Sequence, residues 1–341
     1  MSFYLKIFIN IQILLYNKDN GGRMQVIYLI IGFIIIIKAS DFLVDAASSL
    51  ALKLHVPKML IALTIVAFGT CAPEIAISFR SVATGDGEMA FANIVGSCVV
   101  NVFLIIGLAA FIRSIKVKHA TIKKELPLLL IITTVFSILM LDSIFNPFTD
   151  DTFSRTDAVI LILLFLLFVV YLVQMLFKKS NDPEEGSGDI KYSPIVSIIV
   201  LIVSIILIIY SSDLIINAAE NIAQRLNISE KVITMFAIVV GTSLPEMVMT
   251  VTSAKKGEYD MAIGNIIGTN IFNICIVLGL PVLIYGNVVL TGFGIVDIIA
   301  TFLSSFMLFI FARSEKTIDK KEAIVMLAIF AIYYIYLLVE I

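Results

Sequence analysis

The sequence predicts an all-α membrane protein of ten transmembrane helices, arranged as two inverted-topology repeats of five. Three observations predict it. Hydrophobic residues make up 60% of the 341-residue chain and charged residues 15%, with a mean hydropathy of +1.06, whereas a soluble domain has about half apolar and about a quarter charged residues. Apolar runs near the ~20 residues that a bilayer requires recur along the chain. One motif occurs twice, 172 residues apart: Gly69-Thr70-Cys71-Ala72-Pro73-Glu74 and Gly241-Thr242-Ser243-Leu244-Pro245-Glu246. At the same offset Asp41 meets Asp213, Gly96 meets Gly268, Ser97 meets Thr269 and Asn101 meets Asn273, and residues 61–110 share 15 of 50 identities with 233–282 without a gap.

In chain order the predicted spans are 25–45, 58–83, 88–112, 125–141, 157–177, 194–217, 230–254, 260–285, 291–312 and 320–339. The stretch before the first span is too short and too charged, with Lys6, to cross a membrane, and has no small-residue cleavage site. Codons for Gly21-Gly22 can resemble a ribosome-binding site ahead of Met24, so 1–23 is expected to be an extension outside the translated protein. The second and seventh spans carry the repeated motif, and the third and eighth carry the Gly-Ser/Thr-x-x-x-Asn pattern. The fourth is short. Between the fifth and sixth lies the polar stretch Lys178 to Lys191, with Pro183, Gly186 and Gly188, which reads as a flexible linker. The expected organisation is therefore a first five-helix repeat over 24–177, a cytoplasmic linker over 178–193 and a second repeat over 194–341.

Five spans per half is an odd number, so the second half enters the membrane from the opposite side. Alternate loops hold sixteen Lys and Arg in one set (Lys53, Lys58, Arg113, Lys116, Lys118, Lys123, Lys124, Lys178, Lys179, Lys191, Lys255, Lys256, Arg313, Lys316, Lys320, Lys321) and four in the other (Arg80, Arg155, Arg225, Lys231). The positive-inside rule places the first set in the cytoplasm, and both termini then face the outside of a multi-pass cell-membrane protein. Lys38, Asp41, Asp45 and Asp213 read as span-boundary residues, and Asp142, Asp150, Asp151 and Asp157 as an ordinary solvated loop. No basic stripe points to nucleic acid, and no obligate protein partner is evident. Cys71, Cys98 and Cys275 lie in apolar segments and read as reduced thiols, and His55 and His119 sit in loops without a metal or catalytic pair.

The chemistry lies in the repeated motif. An intramembrane carboxylate is costly and marks a functional site by default. Proline inside a helix removes a hydrogen bond and clashes with the carbonyl four residues back, so Pro73 and Pro245 should interrupt their spans. Freed carbonyls at membrane depth are tolerated where they are buried in protein or line a cavity. Together with the Thr70 hydroxyl and the Glu74 carboxylate they make a set of hard oxygen ligands, and Thr242, Ser243 and Glu246 repeat it. Ser97 and Asn101 lie four residues apart, on one helical face, as do Thr269 and Asn273. Gly96 and Gly268 permit close helix approach. Two carboxylates match one Ca²⁺, which takes six to eight oxygens, or several Na⁺ in separate subsites. From the residues alone, an intramembrane enzyme using the glutamate pair as a dyad and a passive channel also stay open.

The paired Gly-Thr-Ser-x-Pro-Glu and Gly-Ser-x-x-x-Asn patterns resemble the α-repeats of the calcium/cation antiporter superfamily, most nearly its prokaryotic sodium/calcium exchangers, over the whole chain from Met24. The resemblance implies ten helices, the first and sixth sliding as a gating bundle against the other eight. It implies cation binding by Glu74 and Glu246, with Thr70, Thr242, Ser97, Thr269, Ser243, Asn101 and Asn273 around them, and outer Na⁺ subsites using the Ala67 and Val239 carbonyls. It makes Ca²⁺ and Na⁺ the transported substrates in a lipid bilayer, with no enzyme activity and no cofactor. Cys71 departs from the family's Ser, and a thiol is a poor Na⁺ ligand. Asn273 stands where the potassium-dependent branch has Asp. Ala92-Asn93-Ile94-Val95-Gly96 and Gly264-Asn265-Ile266-Ile267-Gly268 carry Gly where the proton-coupled branch has Glu. The expected activity is Na⁺/Ca²⁺ antiport by alternating access with Ca²⁺ extruded, the alternative being Ca²⁺/H⁺ antiport.

Overall fold

The computed structural model describes residues 20–141, 151–177, 190–225, 241–290 and 295–340, which are almost wholly helical. The expectations for residues 1–19, Asp142, Asp150, most of the 178–193 linker and Val239 fall outside these residues. α1 is one unbroken helix, Asn20–Leu54, of 35 residues. At 1.5 Å per residue it is about 52 Å long, well over the ~30 Å hydrocarbon core. It continues past the expected boundary at 45 because no Gly or Pro follows Gly32 within it, and because its carboxylates find partners. Asp45 pairs with Lys191 and Lys256, both at 2.9 Å, and Asp41 with Lys256 at 3.4 Å.

The second span is a broken rod. Lys58–Thr70 (α2) and Ala72–Ala83 (α3) meet at an angle of 51°. The break falls at Cys71 (φ −72°, ψ 1°), and Pro73 sits in the first turn of α3, where its missing N–H is not needed. α4, Gly87–Ile112, contains a π-helical stretch over Val100–Ile106. α5 (His119–Lys123), α6 (Glu125–Leu139), α7 (Arg155–Phe177) and α8 (Pro194–Arg225) complete the first half and begin the second. α9, Leu244–Lys256, follows Ser243 (φ −84°, ψ 7°) and again has its proline in the first turn. α10, Tyr259–Tyr285, has its π-helical stretch at Asn273–Leu278. α11 (Ile295–Ser314) and α12 (Lys320–Glu340) end the chain. Among the described residues six helices are long and apolar enough to cross a membrane, or seven spans if the bent pair α2–α3 counts as one. α6, α9 and α12 lie where the remaining spans are expected.

α4 and α10 form the centre: 83% and 78% of their most apolar windows are buried, against 17% for α7. α10 packs on α2, α9 on α1 and α4, α6 on α11, and α1 runs along α8. A Cβ added at Gly268 would lie 2.7 Å from the Ala67 Cβ and 3.0 Å from the Leu63 backbone, so α10 rests directly on the main chain of α2. Two short antiparallel ladders tie the halves together. β1 (Ile115–Lys116) pairs with β4 (Thr317–Ile318), and β2 (Thr152–Phe153) with β3 (Val288–Val289). Each ladder joins two loops that the Lys/Arg asymmetry assigns to the same side.

The duplication extends into packing that the motif does not reach. Thr133 and Ser305, 172 positions apart, meet at 3.0 Å between α6 and α11. Residues at the repeat offset can touch only near the axis relating the repeats. In each half an acid in the first turn of the fourth helix accepts a tyrosine hydroxyl from the fifth: Tyr171 donates to Glu125, and Tyr333 donates to Asp297 at 2.8 Å.

Candidate functional site

α3 and α9 bring their glutamates to the middle of the packed helices. Glu74 and Glu246 are each 0% exposed. Each lies in the first turn after its break, a position set by the proline before it. Near a helix N-terminus the unpaired N–H groups favour negative charge. Thr242 and Ser97 neighbour Glu74; Thr70 and Glu74 neighbour Glu246; Cys71 lies beside both glutamates and Thr269. Thr70, Thr242, Ser97, Thr269, Ser243, Asn101, Asn273, Cys71 and Ala67 are all buried. The structure thus gathers every expected site residue except Val239, which is outside the described residues.

Hydrogen bonding divides these groups into two kinds. Ser97 Oγ is a hub: it accepts from Asn273 Nδ2 at 3.1 Å and Asn101 Nδ2 at 3.5 Å, and shares a hydrogen with Ser243 Oγ at 3.2 Å. Its lone pairs are therefore used chiefly in holding the Asn273 amide. Thr70 donates to the Ala67 carbonyl at 3.2 Å, and Cys71 N donates to the same carbonyl at 3.1 Å. The Ala67 carbonyl, expected to be free for Na⁺, is engaged twice, because the helix keeps its last hydrogen bond up to the break. Seven oxygens of the second kind are buried and accept no hydrogen bond of ordinary length and angle: both of Glu74, with Thr242 and Ser97 nearby, both of Glu246, with Thr70 nearby, Asn101 Oδ1, Asn273 Oδ1 and Thr269 Oγ1. Buried polar groups are rarely left unpaired, and unpaired carboxylates least of all.

Three asparagines that sequence reasoning did not place in the site belong to it. Thr70 Oγ1, whose hydrogen goes mainly to the Ala67 carbonyl, lies 3.5 Å from Asn265 Oδ1, and Thr242 donates to Asn93 Oδ1 at 3.3 Å. Each threonine thus faces an asparagine of the opposite repeat. Asn93 and Asn265 stand at the 172-residue offset, so the duplication carried the signal. Asn270 accepts from Asn101 Nδ2 at 2.9 Å; its counterpart is Cys98, so the duplication could not flag it. The π-helical stretches holding Asn101 and Asn273 also escape a pattern read at helical spacing. The two-fold relation changes its chemistry at one further place. Ser97 and Ser243 pair as hydroxyls, whereas their counterparts Thr269 and Cys71 lie side by side with a thiol in place of one hydroxyl.

Among the described residues no three His, Cys, Asp or Glu side chains cluster as a metal centre. The site is instead two carboxylates ringed by neutral oxygens, a donor set suited to hard cations rather than to transition metals.

Comparison with known proteins places the arrangement. The family model described as sodium/calcium exchanger protein matches residues 24–174 and 196–339. The inner membrane protein YrbG of Escherichia coli is 35% identical over 269 residues, 75% of this chain and 78% of that protein. The sodium/calcium exchanger MaX1 of Methanosarcina acetivorans is 28% identical over 302 residues, 75% of this chain and 82% of that protein. The solved structure of a sodium/calcium exchanger from Methanococcus jannaschii superposes with a TM-score of 0.77 at 27% identity, covering 90% of this chain and 96% of that one.

Proposed function

The chain belongs to the sodium/calcium exchanger protein family, a family of membrane exchangers rather than catalysts, and from that premise we propose that it exchanges Na⁺ for Ca²⁺ by alternating access, extruding Ca²⁺. The observation that carries this reading is the set of seven unpartnered buried oxygens, four of them from Glu74 and Glu246. Ca²⁺ takes six to eight oxygens, and two carboxylates offset its charge. Na⁺ uses the same kind of ligand with less charge per ion, so the two cations compete for one place. Competition is the basis of coupling: two buried carboxylates are too costly to leave bare, so the site crosses the membrane loaded with one ion or the other. In this reading Thr70, Thr242, Ser243, Asn101, Asn273 and Thr269 complete the site, Ser97 acts mainly by orienting the Asn273 amide, and Cys71 weakens one Na⁺ position. The ions are substrates, and no cofactor takes part. The repeats over 24–177 and 194–341 have opposite topology, and both termini face outward.

The unpartnered carboxylate oxygens could also be satisfied by protons, which keeps Ca²⁺/H⁺ antiport as the second reading. Reconstituted proteoliposomes separate the two. With equal pH on both sides, a Na⁺ gradient should drive ⁴⁵Ca²⁺ uphill, and replacing Na⁺ by choline should stop it. Uphill Ca²⁺ movement driven by a pH gradient in Na⁺-free buffer would overturn the sodium assignment.

A further inference from the structure

We propose that Asn270 is a positioning residue that turns the Asn101 carbonyl toward the transported ion, an inference that rests on the cation-site reading above. Asn101 and Asn270 are both 0% exposed. The Asn101 NH₂ donates to Asn270 Oδ1 at 2.9 Å, and the Asn101 Oδ1 is left buried without a partner.

A primary amide has a donor end and an acceptor end of nearly the same shape. Rotated by half a turn, Asn101 would point its NH₂ into a site whose unpartnered acceptors include both glutamates. That orientation would present donor hydrogens, not an acceptor oxygen, to an arriving cation. Something must compete for the NH₂, and the strongest competitor is Asn270 Oδ1. Ser97 Oγ, at 3.5 Å, is at the limit of a hydrogen bond and is already engaged by Asn273 at 3.1 Å.

The repeat does not provide this device twice. Cys98 stands at the place equivalent to Asn270, and a thiol is a weak acceptor. Asn273 is accordingly held by Ser97 from the other half. The two amides, alike in sequence, are oriented by different partners, and Asn101 alone depends on Asn270.

A double-mutant cycle on the purified full chain tests this, with equilibrium ⁴⁵Ca²⁺ binding as the readout and the ion-free melting temperature measured alongside. Asn101→Leu and Asn270→Leu should each weaken Ca²⁺ binding about tenfold, the usual effect of losing a ligand's supporting partner. The double variant should bind no more weakly than Asn101→Leu, because Asn270 acts through Asn101. Multiplicative losses would overturn the proposal and leave Asn101 standing as a ligand. So would an Asn270→Leu variant that lowers the melting temperature without changing affinity. Unchanged affinity in Asn101→Leu would overturn the ligand reading of Asn101 and this proposal with it. Should Asn270→Leu fail to fold, Asn270→Cys, which copies the residue at position 98, takes its place in the same cycle.

Discussion

Glu74 and Glu246 stand in the folded chain with four carboxylate oxygens that no hydrogen bond satisfies. Two opposite consequences follow from removing one charge. Glu74→Gln or Glu246→Gln should cut Ca²⁺ flux by about 100-fold or more, since stripping one partner from a buried charge set costs about 3 kcal/mol or more. The same variants should melt higher than the parent in ion-free buffer, because an uncompensated carboxylate has become a neutral amide. Added Ca²⁺ should then no longer raise the melting temperature, as binding to the folded state otherwise would. A variant that Ca²⁺ still stabilises would take that glutamate out of the site. Cys71 allows a test of the other ion. Its counterpart Ser243 shares a hydrogen with Ser97, and Cys71 lies beside Thr269 in the equivalent place. Cys71→Ser should strengthen Na⁺ competition against ⁴⁵Ca²⁺ binding several-fold, a hydroxyl being the harder ligand. An unchanged Na⁺ inhibition curve would make Cys71 a packing residue. These residues were legible in the sequence because the motif occurs twice at one offset. Asn270 was not, because its counterpart is a cysteine and a hydrogen bond to Asn101 leaves no mark on spacing.

At the scale of elements, the interruption expected from Pro73 is present but falls two residues earlier, at Cys71, and α9 likewise starts just after Ser243 with Pro245 in its first turn. Proline is accommodated in the first turn of a new helix, so the chain leaves the preceding helix before the proline and not at it. The π-helical stretches in α4 and α10 were not legible, since they depend on how a whole turn packs. The close contact of α10 with α2 was legible only as a small-residue pattern. Its consequence is specific: the Cβ of Gly268→Ala would meet the Leu63 backbone at 3.0 Å, where no side chain can rotate away. The helices must separate, at a cost of about 1–3 kcal/mol. Because Ala67 and its neighbours Gly69 and Thr70 ride on α2, the same variant should weaken Ca²⁺ binding as well as lower the melting temperature. A fully stable, fully binding Gly268→Ala protein would show that α2 and α10 are not in contact as described.

Taken as a whole, the molecule joins its halves at both ends, by one strand ladder at each. At the end assigned to the cytoplasm it adds a charge network. Asp41 and Asp45 of α1 meet Lys256 at the end of α9, Asp45 also meets Lys191 near the end of the linker, and Lys58 meets Glu258 at 2.8 Å. Exposed pairs contribute at most about 1 kcal/mol each. Lys256 makes two of them and also donates to the Asp41 carbonyl at 2.7 Å, so it ties α1 to α9. Lys256→Gln should therefore change the exchange rate about two- to fivefold without abolishing it, and the difference from the parent should shrink in high KCl as charges are screened. A rate identical to the parent at low salt would remove any part for this network in transport. The sequence by itself determined the membrane class, the repeat, the interruption of the second span near its proline, the paired carboxylates and the charge asymmetry of the loops. Each of these is set by composition or by spacing along one segment. Only the tertiary structure decided which oxygens are free to hold an ion. Ser97 is used up on partners 146 and 176 positions away, and Asn101 meets a residue 169 positions away while its own carbonyl stays unpaired. A sequence fixes what each side chain can donate or accept, but a hydrogen bond exists or fails within a fraction of an ångström, and that distance is set by how helices from the two halves pack.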